Sequence, residues 1–238
     1  MALGMLLVAV RLLKKRLPPK DSVKMLEPRE LKGPVFDLFI LGSIFCVAGL
    51  WFAFFYINAF ARTKLDLTLE GSIPFLLVLS GVGIPGRLIL AYIADHYCRP
   101  LTISLVVSFV TSLLLYGWIA IESIASMYVF AVLYGLFAAA LQSMFPAVLA
   151  DLTLDHKKIG TRMGMGFAFS SFGCLIGGPG GGALVEAGNG TYLYGQVLAG
   201  SCGILGLLYF ATAALLHQRK AKHIDNTLAD NSPQFTNR

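Results

Sequence analysis

The stretch "LVLSGVGIPGRLILAYIADHYCRP", Leu77 to Pro100, carries a G-x-G-x-x-G at Gly81, Gly83 and Gly86. A short apolar run precedes it and a helix-like stretch follows. Read alone, this is the pattern of a dinucleotide-binding turn, whose glycines permit a tight bend and a close backbone approach to pyrophosphate at a helix N-terminus. Two features outside the motif oppose that reading. Such a turn wants an acidic residue about 20 positions further on, yet Leu101 to Ile121 contains no acid. The neighbouring stretches are also apolar over about 20 residues each, too long for strands and without a water-facing side.

Composition decides between a soluble and a membrane chain. Of 238 residues, 56% are hydrophobic and 13% are charged, and the mean hydropathy is +0.72. Soluble domains carry about 25% charged residues, so this chain cannot cover a water-facing surface and lipid must serve as solvent for most of it. A hydrocarbon core of about 30 Å takes about 20 helical residues. Six stretches qualify: Pro34 to Ala61, Ser72 to Ala94, Leu101 to Ile121, Ala125 to Ala150, Met163 to Val185, and Leu193 to Leu216. The fold expected is an all-α, polytopic bundle of six transmembrane helices, and a membrane-embedded nucleotide-binding enzyme becomes a remote alternative.

Charge placement tests the topology independently. Eight basic residues lie between Arg11 and Lys32, Arg99 stands alone in the next alternate loop, Lys157, Lys158 and Arg162 follow, and four come after the last span. The intervening loops hold only Arg62 and Lys64. Sixteen basic residues on one side against two on the other put both ends of the six-helix unit in the cytoplasm. Orientation thus accounts for the net charge of +6, and no nucleic-acid partner is needed.

At the front, "MALGMLLVAV" is apolar but short, and its positive charges follow it in "RLLKKRLPPK" rather than precede it. That order is wrong for a secretory signal. Residues 1 to 33 read as the last turns of an earlier membrane helix and a basic loop, as though the front were cut. The polar residues from His217 to Arg238 read as a disordered tail. Cys46, Cys98, Cys174 and Cys202 have no metal-ligand spacing, and His96, His156, His217 and His223 are dispersed, so no metal, cofactor or catalytic constellation is expected. The sequon at Asn189 lies in a loop too short for use.

"GRLILAYIADHYCRP", then "FPAVLADL", then "TRMGMGFAFSSFGCLIGGPGGGAL", in that order, resemble the C-terminal half of the monocarboxylate transporter-like branch of the major facilitator superfamily, in its fungal form. "RLPPK" and "LKGPVFDLFILG" are similar to the central loop and seventh helix of such proteins. Of the superfamily's loop motif G-x-L-A-D-R-x-G-R-R/K, Ala94, Asp95 and Arg99 match, whereas Ala91, His96, Cys98 and Pro100 depart. The resemblance implies alternating-access transport of a small organic solute, with a missing N-terminal six-helix half or a second copy as partner. A truncated product without activity of its own is the alternative. The membrane implied is plasma or vacuolar.

Arg87 is the most informative single residue, because an arginine inside a span costs about 2.5 to 3.5 kcal/mol on insertion scales. It either snorkels to the cytoplasmic headgroups or faces a cavity, where it would bind an anionic group of the solute. Steps of three and four from it give Ser80, Gly83, Ala91 and Ala94, a small-residue stripe expected to pack inward, with Leu79, Val82, Ile89 and Ile93 turned away. In the animal members the matching arginine follows an intramembrane Asp by four residues. Here Gly83 holds that place, and the resemblance does not extend to proton coupling through such a pair. Tyr56, Asn58, Gln142, Ser143, Ser170 and Ser171 are further candidates to line an aqueous cavity, or else to bond between helices. Asp95, Arg99, Asp151 and Arg162 are expected to form a cytoplasmic network that latches one conformation, or else solvated surface pairs. The glycine pairs Gly173/Gly177, Gly177/Gly181 and Gly178/Gly182 around Pro179 suit close helix contacts.

Cysteine accessibility labelling tests the topology. Cysteines at Met25 and Asn226 should react from the cytoplasmic face and those at Thr68 and Asn189 from the other; finding Thr68 and Met25 on one face would defeat the six-span assignment.

Overall fold

The computed structural model describes residues 33 to 97, 99 to 153 and 158 to 230, with side chains as far as Arg219. The helix remnant and basic loop expected over residues 1 to 32, together with Cys98, His156, Lys157 and residues 231 to 238, lie outside them. Among the described residues there is no strand. The helices are α1 (Pro34–Lys64), α2 (Leu69–His96), α3 (Pro100–Gly117) with a 3-10 turn (Trp118–Ala120), α4 (Ile124–Asp151), α5 (Ile159–Leu175), α6 (Gly181–Ala187) and α7 (Leu193–Asp230). A π turn, Ile176–Gly180, joins α5 to α6, so that among the described residues six stretches are long and apolar enough to cross a membrane. Five of the expected spans fall within these helices, and the third overshoots its helix by one residue.

Local chemistry sets the ends. Pro34 and Pro100 open α1 and α3, positions where the missing N–H has no intrahelical partner to lose. The Thr68 side chain accepts from the Gly71 N–H at 3.2 Å, and Ser123 with Ser126 forms a reciprocal cap at the start of α4. Gly33, His96, Arg99 and Asp151 therefore lie at one end of the bundle, the near end, and Lys64, Ser123 and Leu193 at the far end. At the chain's close α7 continues in helical conformation past Leu216 to Asp230. The stretch "HQRKAKHIDNTLAD" is polar but rich in Lys, Arg, Gln, Ala and Leu, which are good helix formers.

The two most extensive pairings are α1 with α7 and α2 with α4; α3 bridges α4 and α7, and α5 lies along α1. Glycines bring these backbones together. A Cβ at Gly86 would stand 2.5 Å from the Leu136 carbonyl oxygen, and one at Gly135 would collide with the backbone of Leu79. Gly173 and Gly177 likewise meet the carbonyls of Ile44 and Ala48. The opening motif is thus resolved: Gly83 and Gly86 are points where α2 crosses α4, whereas Gly81 has nothing within 4 Å. The packed face of α2 is Ser72, Phe75, Leu79, Gly83, Gly86 and Ala94. The expected small-residue stripe holds at Gly83 and Ala94, but Ser80 is exposed and Leu79 is buried in its stead, because Gly135 on the partner helix makes room for the Leu79 turn.

In the fifth span Pro179 removes one backbone donor within a wide π turn, and the Tyr56 hydroxyl donates to the Gly178 carbonyl at 2.9 Å. A neighbouring side chain thereby satisfies backbone that lipid could not. In α4, the buried Tyr134 hydroxyl similarly donates to the Leu50 carbonyl at 3.0 Å.

Substitution at two glycines of the same motif should have unequal effects. Gly86→Ala forces apart backbones that have no room to shift and should lower stability by about 1–3 kcal/mol, the usual cost of overpacking. Gly81→Ala meets open space and should leave the thermal midpoint in detergent unchanged.

Candidate functional site

Arg87 lies nine residues before the end of α2 at His96, and Gln142 nine residues before the end of α4 at Asp151. Because both helices run toward the near end, the two side chains stand at one depth, about 13 Å inside it at 1.5 Å per residue. The Arg87 Nη2 group donates to Gln142 Oε1 at 3.3 Å. Among the described residues this is the one hydrogen bond made by the guanidinium. That bond uses one of its five N–H donors, and Arg87 is exposed, as are Ile84 and Leu88 beside it in the helix. A fork of free donors beside an apolar surface is suited to bidentate recognition of a carboxylate or phosphate.

Gln142 also borders a narrow cleft of about 40 Å³ walled by Phe39, Leu50, Leu141, Phe145 and Phe210, with Ser43 and Ser104 at its polar edge. Phe39 stacks between Phe145 at 5.8 Å and Phe210 at 4.9 Å, which fixes the wall. Ser43 and Ser104 donate to carbonyls in their own helices, leaving the lining almost wholly apolar. A cation, an amide and an apolar recess thus adjoin one another. The apolar walls carried no sequence signal, since phenylalanines and leucines recur throughout every span.

The other expected candidates are distributed differently. Ser143 and Ser171 donate to Ala140 and Ala168, each one turn back in its own helix. Ser170 is buried with its hydroxyl lacking a partner, as is the Asn58 carbonyl oxygen. Tyr56 and Asn58 stand roughly 20 Å further along the bundle axis than Arg87, by the rise of α1 and α2, and the structure does not gather them with it. Tyr56 is committed to the Gly178 carbonyl.

At the near end, Arg162 Nη1 donates to the Leu152 carbonyl at 3.3 Å, closing one of the open carbonyls left at the end of α4. Its guanidinium carbon sits 4.9 Å from the centre of the Phe36 ring, so it ties α5 to both α4 and α1. Asp95, Arg99 and Asp151 are exposed, and among the described residues no ion pair joins them to one another or to Arg162. The four expected network residues are not assembled in this conformation. Among the described residues there is also no cluster of His, Cys, Asp and Glu fit to hold a metal.

No family model matches the chain. Curated relatives do. An MFS-type transporter of Gibberella zeae is 33% identical over 89% of this chain and 48% of its own length. The MFS-type transporter dbaD of Emericella nidulans is 30% identical over 86% of this chain and 47% of its own. The aspyridones efflux protein apdF of the same organism is also 30% identical, over 86% of this chain and 41% of its own length. The monocarboxylate branch is not distinguished by these relatives. The chain is homologous to fungal MFS-type transporters and spans about half the length of the curated relatives it matches.

Proposed function

We propose that this chain is one six-helix body of a transporter that moves a small organic solute bearing an anionic group, acting by alternating access and without a chemical step. The observation that carries the reading is the pairing of Arg87 with Gln142 on the exposed side of the α2–α4 seam. Arg87 presents its free donors to the solute's carboxylate or similar anion. Gln142 holds the guanidinium in place, and the neighbouring aromatic recess receives an apolar part of the solute. Placement supports this, because substrate sites in such transporters lie between two six-helix bodies and inside the bilayer. The face of α2 carrying Arg87 is left without a helix partner among the described residues. The second body is the remainder of a longer chain, a separate N-terminal half or another copy. The efflux named for one relative favours export as the direction, and the apolar recess suits a partly hydrophobic acid better than a small hydrophilic one.

In this mechanism the two bodies rock about the solute, and the glycine seams keep each body rigid while they do. The π turn at Ile176–Gly180 gives the fifth span a place to bend. Asp95, Arg99, Asp151 and Arg162 would pair with the opposing body in the outward-facing state, when the near end closes.

Joined to an N-terminal six-helix half from a relative, the chain should drive saturable flux of an anionic solute in vesicles. Arg87→Ala should reduce that flux about 10- to 100-fold, as expected for loss of a charge-assisted contact of roughly 1.5–3 kcal/mol, with abundance near normal. Arg87→Lys should not restore it fully, since the planar fork is lost. If abundance fell in step with flux, the arginine would be structural and the site misassigned.

The same assay separates the possible partners. The 238-residue chain reconstituted alone should give no flux; Arg87-dependent flux from it would identify a second copy as the other body.

A further inference from the structure

At the far end of the bundle a second cavity opens, distant from Arg87 and Gln142. The last turn of α1, the connection from α3 to α4 and the approach to α7 converge around about 400 Å³ of empty space, bordered by Phe60, Lys64, Glu122, Thr191, Tyr192 and Gln196. It is ten times the volume of the cleft beside Gln142. A space of that size holds many waters or one small molecule, given that a single water needs about 10–15 Å³.

Three features give this cavity a chemistry. Lys64 and Glu122 are both exposed on its rim, carry opposite charges, and among the described residues neither forms an ion pair. Gln196 is only 3% exposed, and its buried amide nitrogen has no hydrogen-bond partner. Buried amides are nearly always satisfied by protein, water or ligand. Phe60 and Tyr192 meet edge to face with ring centres 5.6 Å apart, providing an aromatic wall of the kind that favours an ammonium group.

We propose that this cavity binds a small zwitterion, with its anionic group on Lys64, its ammonium between Glu122 and the aromatic wall, and its linking polar atoms on the Gln196 amide. A simple anion would have to sit beside Glu122, and a simple cation beside Lys64. A neutral solute would leave both rim charges unused. A ligand carrying both signs engages both rim charges at once. Lys64 is the last residue of its helix, level with the membrane interface, so a phosphoethanolamine group can arrive either on a lipid or free in solution.

The test places the chain in nanodiscs of phosphatidylglycerol, a background with no ammonium group. In one arm glycerophosphoethanolamine is titrated by calorimetry; in the other, phosphatidylethanolamine is introduced and retained lipid is read by native mass spectrometry. Saturable binding is expected in at least one arm, the free form alone indicating a soluble ligand and the lipid alone a headgroup. Lys64→Ala and Glu122→Ala, both on the surface, should each weaken it about tenfold, the loss of one charge-assisted contact. Gln196→Leu should abolish it without lowering the thermal midpoint. The exchange of Lys64→Glu with Glu122→Lys should restore part of the affinity, because a zwitterion can turn round. No binding in either arm would mean a cavity filled by water alone, and equal binding of glycerophosphate would mean a plain anion site. Indifference to Lys64→Ala and Glu122→Ala would mean that the rim plays no part. Any of these three results overturns the proposal.

Discussion

Lipid offers a backbone no hydrogen bonds and gives two apolar helices no hydrophobic reason to associate. Every contact in this integral multi-pass membrane protein follows from that constraint. Backbones must satisfy their own polar groups, so the chain is helical from end to end of each span. Helices must then gain attraction from closeness, and closeness requires the absence of side chains at the crossing points. Gly86 against Leu136, Gly135 against Leu79, and Gly173 and Gly177 against Ile44 and Ala48 meet that requirement. Large buried residues such as Phe52, Trp118 and Tyr134 fill the space between the seams, with Trp118 stacked against Phe130 at 5.4 Å.

The same constraint makes each intramembrane polar group informative. Hydroxyls within the spans mostly donate to a carbonyl three or four residues back in their own helix, as Ser43, Thr111 and Ser112 do. Tyr56 and Tyr134 instead reach across helices to carbonyls. Arg87 fits neither pattern. It is exposed among apolar neighbours and makes one long bond to the Gln142 amide across helices.

Hydropathy and length made the six spans legible, because lipid imposes both requirements on any helix that crosses it. Gly83 and the glycines of the fifth span were legible as packing points for the same reason. Which face of α2 turned inward was not, because burial there depends on complementarity between segments far apart in sequence. Leu79 lies inside since Gly135 leaves space, and nothing near residue 79 announces it. Arg87 and Gln142 were each visible as isolated polar residues in apolar spans, but their pairing across 55 positions required the α2–α4 contact. Tyr56 shows the converse: a tyrosine in a span suggests a cavity, and only the π turn opposite explains where its hydroxyl goes. The helical course of residues 217 to 230 was obscured by polarity, which ends a membrane span without ending a helix.

The pairing of α1 with α7 has a consequence for biogenesis. α1 precedes the other described helices in the chain, and its principal neighbour is the last of them. Gly42 and Gly49 on α1 await Phe210 and Ala199, and Gly206 awaits Cys46. Between Lys64 and Leu193 the ribosome adds 128 residues, on the order of ten seconds of synthesis at about 5–20 residues per second. Throughout that interval the groove of α1 must be held by lipid, by α5 once it is inserted, or by the insertion machinery. Closure of the bundle is therefore a late event, and nascent chains stalled before α7 would display an open glycine-lined groove to membrane quality control.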